Sequence, residues 1–292
     1  MQLISHLAGS WLGLVALAGP LAAATPEAAP PPAVELSATK PCRLFLLGGQ
    51  SNMDGCGRPH ELPEAYRMPP KNVVTWDNRR KCWVRLTEDS MAIARNGMFG
   101  PEMTFAHRLA EAFPNETIAI TKTSTGGTRL FTQWIPEGGM YQRFIANSEN
   151  ARKALKDAGI SYSIGGMLWM QGESDTDNLE HAQAYEENLR RMFADVRRKT
   201  GIDQLPIVMG RISSSLLKGT PWNMNHVPVV RAAQDAVAAA DPHVHLISTD
   251  DLSTWKDNTH FDGPSQLTLG SRMADAMLKE LDPTAASRSE TP

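Results

Sequence analysis

A chain of 292 residues that is 41% hydrophobic and 21% charged has an ordinary globular composition, which excludes long disorder as its main state. Lys and Arg number 29 against 32 Asp and Glu, and a net charge of −3 offers no positive field to a phosphate backbone, so no nucleic acid partner is expected. Three cysteines, Cys42, Cys56 and Cys82, are too few and too irregularly spaced for a zinc ribbon or a disulfide scaffold.

In chain order, the apolar run WLGLVALA starts at Trp11 and is followed by Gly19-Pro20 and by the small residues Ala22, Ala23 and Ala24. This pattern predicts an export signal over residues 1–24, cleaved near Ala24, and hence a secreted or periplasmic protein. The run falls far short of the ~18–20 apolar residues that cross a bilayer, so no stable membrane anchor is expected. An oxidising compartment allows one disulfide, with Cys56 to Cys82 weakly preferred; three buried thiols are the alternative. Residues 25–39 are rich in Pro and Ala and read as a semi-extended linker. Residues 283–292 read as a polar tail, which leaves one domain over residues 40–282.

Within that domain, apolar runs at 43–47, 117–121, 164–170, 206–210 and 244–248 have the length of buried strands. Helical signals occupy 101–113, 142–158, 179–200, 227–240 and 264–281. In the last of these, Leu269, Met273, Met277 and Leu281 recur every fourth residue, and Pro264 stands where a first-turn proline is tolerated. Strands alternating with crossover helices imply a parallel sheet covered on both faces, so the expected fold class is α/β, a three-layer α/β/α sandwich around five parallel strands. Residues 55–95 are irregular and read as an excursion over the sheet edge, with room for a small hairpin.

Ligands of such sheets bind beyond the carboxyl ends of the strands. The segments found there are Gly48-Gly49-Gln50-Ser51-Asn52-Met53, Thr123-Ser124-Thr125-Gly126-Gly127-Thr128, Gln171-Gly172-Glu173-Ser174-Asp175 and Asp257-Asn258-Thr259-His260. A serine after a strand is, taken alone, a helix N-cap. After a Gly-Gly bend, Ser51 is also well placed to project its hydroxyl into a cleft, and a nucleophilic serine needs an imidazole oriented by a carboxylate. Asp257 and His260, three residues apart, supply both. The backbone N–H groups of Ser51 and Gly127 and the carboxamide of Gln171 are candidate oxyanion donors. Gln50, Asn52 and Gly126 read as supporting residues. Glu173 either holds Gln171 in place or serves His260 as a second carboxylate, and Asp175 reads as a loop or cap residue.

The ordered motifs GQSNM, TSTGGT, WMQGESD and DxxH resemble the SGNH-hydrolase superfamily, in its carbohydrate acetylesterase branch of sialate O-acetylesterase-like proteins and family 6 acetylxylan esterases. The resemblance spans about residues 44–277 and implies a flavodoxin-like fold with Ser51 as nucleophile, His260 as base and Asp257 orienting the ring. It departs from the wider superfamily in carrying Gln171 where an asparagine is usual. The α/β-hydrolase alternative is disfavoured, because GQSNM lacks the second glycine of G-x-S-x-G.

Sugar rings stack on aromatics, so Trp222 and Trp255 are candidate platforms, with Arg211 on the same rim; Trp169, in an apolar run, is expected in the core. His243 and His245 share a strand face without a third ligand, and no metal or cofactor is expected. The expected activity is removal of O-acetyl groups from carbohydrate, of acetylxylan or sialate type, through an acetyl-serine. Two rivals are a carbohydrate-binding protein on the same scaffold and an esterase for longer acyl chains.

Overall fold

Leu44, Phe45, Leu46 and Leu47 form an unbroken apolar run and are all fully buried, as a strand covered on both faces requires. They belong to β1 (Cys42–Gly49), the middle strand of a seven-stranded sheet. In this computed structural model, which describes residues 31–68, 70–87 and 98–281, the other strands are β2 (Val73–Asp77), β3 (Cys82–Arg85), β4 (Thr117–Ser124), β5 (Tyr162–Met170), β6 (Ile207–Gly210) and β7 (Val244–Ile247). The expected export signal and polar tail lie outside the described residues.

The strand order is β3-β2-β4-β1-β5-β6-β7. All five apolar runs read from the sequence are strands, and they lie side by side in parallel. The expectation of a five-stranded parallel sheet is nevertheless corrected: the sheet has seven strands and is mixed. The excursion at 55–95 contributes the hairpin β2 and β3, in which β2 runs parallel to β4 while β3 turns back antiparallel. VVTWD and CWVR, at five and four residues, are short runs set among Pro, Asn and Asp. Their membership in the sheet comes from pairing, of β2 with β4 and of β3 with β2, rather than from any local periodicity. Beyond β3, the N–H of Val34 donates to Trp83 O at 2.8 Å, so the described end of the Pro/Ala-rich segment runs along the sheet edge.

The helices are α1 (Ser51–Asp54), α2 (Glu64–Arg67), α3 (Glu102–Ala112), α4 (Gly139–Asp157), α5 (Leu179–Thr200), α6 (Val227–Ala240) and α7 (Gly263–Leu281). Strand alternation sends neighbouring side chains to opposite layers. Phe45 meets Phe105 of α3 with ring centroids 5.2 Å apart, whereas Trp169 meets Trp134 at 4.9 Å and Phe193 of α5 at 6.4 Å. Leu269, Met273 and Met277 are fully buried, and Met277 packs beside Gly166 of β5, so the every-fourth-residue face of α7 covers the sheet as its spacing predicts.

Chain reversals at the strand ends build the floor of a cleft. The order β4-β1-β5 places a topological switch at β1, because the chain leaves it toward one side and later returns on the other. Gly49 closes β1 at φ 151°, and a Cβ there would lie 2.1 Å from Met170 O. The next N–H, of Gln50, donates to that same oxygen at 2.9 Å. Gly49→Ala is therefore expected to lower the unfolding free energy by about 3 kcal/mol, read as a lower urea midpoint at unchanged slope. An unchanged midpoint would show that the ends of β1 and β5 move apart freely.

Candidate active site

Ser51 is the first residue of α1, directly after the β1 bend, and is 3% exposed. Its Oγ lies 3.1 Å from His260 Nε2. His260 Nδ1 lies 2.7 Å from Asp257 Oδ2. With the Nδ1 proton donated to the carboxylate, Nε2 is left as the acceptor of the serine hydroxyl proton. The Asp257–His260 loop is shaped by its own acid: Asp257 Oδ1 accepts from the N–H of Thr259 at 2.9 Å and from that of His260 at 3.0 Å. Burial alone would raise the Asp257 carboxyl, but the hydrogen bonds from the His260 backbone and ring and from the Thr259 backbone outweigh it and hold it below the usual aspartate range.

Serine and histidine are 209 positions apart, and one neighbouring side chain ties their loops together. Asn52 Nδ2 donates to Thr259 O at 3.0 Å, while Asn52 Oδ1 accepts from the Phe261 N–H at 3.0 Å. The same Nδ2 donates to Glu173 Oε1 at 2.7 Å. Glu173 therefore has the supporting role, bonded to the loop that follows β1 by way of Asn52 rather than to Gln171, and the alternative that it serves His260 as a second carboxylate is corrected. The carboxylate on His260 is Asp257. Glu173 is fully buried, its Oε2 has no hydrogen-bond partner among the described residues, and burial pushes its carboxyl up.

The third motif is also rearranged relative to expectation. Gln171 is fully buried and does not line the cleft. Its Nε2 is surrounded by acceptors, with Asp175 Oδ2 at 2.6 Å, Thr128 O at 3.1 Å and Gln50 Oε1 at 3.2 Å, while its Oε1 accepts from Tyr185 OH at 3.1 Å. Two N–H bonds have no capacity left for a reacting oxygen. Asp175, read as a loop residue, is instead a buried node that also accepts from the N–H groups of Leu130 at 2.9 Å and Phe131 at 3.0 Å. Gln50, itself buried, is the glutamine that lines the cleft. Its Oε1 faces three donors, Gln171 Nε2 and the N–H groups of Gly172 and Ser174, and among the described residues its Nε2 has no acceptor while the residue lines the cleft beside Ser51.

The cleft has a volume of about 390 Å³. Gly126 and Gly127 line it, and the space where a Cβ of Gly127 would stand is open, with φ at 73°. Trp222 lines it too, 47% exposed, with its ring perpendicular to that of His260 and 5.4 Å away. Arg211 and Trp255 do not line it. Arg211 is drawn to Asp235 of α6, and Trp255 lies under the Arg58 guanidinium at 3.8 Å with Nε1 donating to Cys56 O. Arg129 and Asp177, which pair with each other on the cleft wall, escaped the sequence reading because neither stands in a motif and only the fold joins their loops.

The three cysteines are thiols, which corrects the preference for a Cys56–Cys82 bridge: Cys56 follows α1 in the interior, whereas Cys82 stands on the edge strand β3. His243 and His245 meet one carboxylate, Glu280, and among the described residues no cluster of three or more His, Cys, Asp or Glu is arranged to hold a metal ion. Among them, too, no helix is long and apolar enough to cross a membrane.

The buried acid yields a pH prediction. A carboxyl raised in the folded state keeps its proton to higher pH than in the unfolded chain, so its contribution turns against folding as pH rises above the ordinary glutamate value of about 4.3. Glu173→Gln keeps an oxygen for Asn52 and removes that penalty. The variant's Tm is expected to exceed the parent's at pH 7, with the difference closing by about pH 4, as read by calorimetry. A pH-independent difference would contradict the raised carboxyl.

With this geometry in view, residues 41–279 match the family model described as carbohydrate esterase, sialic acid-specific acetylesterase. A protein of Arabidopsis thaliana, named as a probable carbohydrate esterase, is 26% identical over 253 residues, covering 82% of this chain and 91% of its own length. Its solved structure superposes with a TM-score of 0.70 at 24% identity, over 83% of this chain and 100% of that one. NanS superposes with a TM-score of 0.65 at 16% identity, over 85% of this chain and 99% of its own. A carbohydrate acetylesterase from Xanthomonas citri gives 0.58 at 19% identity, over 81% of this chain and 56% of its own. The structural likenesses carry the fold, and the match over most of the sequence carries the family: this chain belongs to the carbohydrate esterases of the sialic acid-specific acetylesterase family.

Proposed function

We propose that this chain hydrolyses O-acetyl esters of carbohydrate, of acetylxylan or sialate type, through an acetyl-serine intermediate. The observation that supports this best is the unbroken line from Asp257 Oδ2 to His260 Nδ1 at 2.7 Å and from His260 Nε2 to Ser51 Oγ at 3.1 Å, opening on a cleft beside Gln50 and Gly127. Ser51 Oγ attacks the acetyl carbonyl as its proton passes to His260 Nε2. The resulting oxyanion is held by the backbone N–H groups of Ser51 and Gly127 and by Gln50 Nε2, which takes the part the sequence reading gave to Gln171. Collapse expels the sugar oxygen, which receives the proton from Nε2. Water then attacks the acetyl-serine, His260 accepts its proton, and acetate leaves as Ser51 is reprotonated. Asp257 stays ionised and faces the imidazolium formed in each half-reaction.

The wider reading is of a secreted enzyme, with residues 1–24 as export signal and residues 40–282 as one catalytic domain. Trp222, Asn223 and Met224 together with the Arg129–Asp177 pair form a rim suited to a sugar, whose C–H faces stack on an indole and whose hydroxyls bond to paired charges.

Two substitutions test the chemistry. Ser51→Ala is expected to lower aryl-acetate hydrolysis by at least about 10³-fold with little change in Tm. Retained turnover would reject the nucleophile. Gln50→Ala is expected to lower kcat by about 10²- to 10³-fold at nearly constant KM, the signature of a donor used in the transition state. A rise in KM alone would place Gln50 in substrate binding instead.

A further inference from the structure

Beneath the turn that carries Ser51 lies a fully buried ion pair that the chemistry above does not use. Lys122 of β4 and Glu102 of α3 have side chains 0% and 1% exposed, with Nζ 2.9 Å from Oε2. The ammonium also donates to Asp54 O at 2.8 Å. Asp54 is the last residue of α1 and Ser51 is the first, so a single turn separates the lysine's acceptor from the nucleophile. Two residues along the same face of β4, Ser124 Oγ donates to Asp54 Oδ1 at 2.8 Å. Lys122 and Ser124 therefore hold both the carbonyl and the carboxylate of one residue.

Glu102 is equally fixed. Its Oε1 accepts from the Gly100 N–H at 3.0 Å, and a Cβ on Gly100 would stand 2.5 Å from Oε2, so the carboxylate occupies space that only a glycine leaves. Gly55, immediately after α1, is pressed against the same segment, and a Cβ there would lie 2.5 Å from Gly100 N. Burying two charges carries a desolvation penalty that well-packed apolar residues of similar volume avoid, so net stability is a weak reason to keep such a pair. What the pair does supply is direction: an ammonium with fixed acceptors sets where the end of α1 can sit.

We propose that Lys122 and Glu102, with Ser124, are positioning residues for the nucleophile: they clamp Asp54 and so set the placement of Ser51 Oγ against His260 Nε2. A displacement of about 1 Å at a reacting atom costs on the order of 10²-fold in rate. The inference rests on the reading of Ser51 as nucleophile. Retained activity in Ser51→Ala would defeat that reading, whereas an inactive Ser51→Ala beside fully active clamp variants would defeat only this one.

The test compares the double variant Lys122→Met/Glu102→Met and the single variant Ser124→Ala with the parent, in the full chain. The readouts are kcat and KM for an aryl acetate, the rate of inactivation by a serine-reactive phosphonate, and Tm. The folded double variant is expected to lose about 10- to 100-fold in kcat, to keep KM within about two-fold, and to be labelled more slowly in the same proportion. Ser124→Ala removes a single hydroxyl and is expected to lose about three- to ten-fold in kcat at nearly constant Tm. A lowered Tm with unchanged kcat and labelling rate would assign the pair a structural role only and overturn the proposal. If the double variant does not fold, Ser124→Ala decides alone, and unchanged kcat and labelling in it overturn the proposal as well.

Discussion

The carboxamide of Asn52 is the interaction on which the rest of this site depends. Ser51 and His260 arrive from opposite ends of the domain, and a hydrogen bond of 3.1 Å between them tolerates little drift. Asn52, one residue after the serine, spends its oxygen on the Phe261 N–H and its nitrogen on Thr259 O, so it grips the histidine loop on both sides of His260. A buried amide satisfied at both ends by backbone is geometrically specific, because losing either bond would strand a polar group away from water. Glu173 adds a third contact from the β5 end, which brings three strand ends to one side chain.

A division of labour between two glutamines follows from the same logic. Gln171 is surrounded by acceptors and fully buried, so it belongs to the scaffold that joins Asp175, Thr128 and Tyr185. Gln50 has its oxygen facing donors, its nitrogen has no acceptor among the described residues, and the residue lines the cleft. A neutral donor held from behind needs no reorganisation when charge develops in front of it, and this property is what the proposed oxyanion role of Gln50 draws on. The buried carboxyls of Glu173 and Asp175, both pushed up by desolvation, show that this scaffold carries an electrostatic cost to hold its shape.

Around this polar centre the apolar layers do the ordinary work of folding. Phe45 and Phe105 on one face, and Trp169, Trp134 and Phe193 on the other, bury large rings against the central strands. Full burial of side chains of that size contributes roughly 1.5–3 kcal/mol each. The rigidity so obtained lets short turns at the strand ends hold their geometry.

The strands β1, β4, β5, β6 and β7, the five long helices and the four motif loops were legible in the chain, because buried runs, helical spacing and glycine-rich turns are local signals. So was the meeting of Ser51, Asp257 and His260, since a nucleophilic serine needs an imidazole oriented by a carboxylate and the four ordered motifs, with the family they resemble, point to that pair. The excursion at 55–95 left room for a hairpin, but only the tertiary structure decided that its strands join the sheet, β2 by pairing with β4 and β3 by pairing with β2. It alone showed that Arg211 and Trp255 turn away from the cleft while Arg129 and Asp177 face it. The different bonding of Gln50 and Gln171 belongs to the same class: a side chain's use depends on which of its atoms are already bonded, and partners distant in the chain meet only after folding.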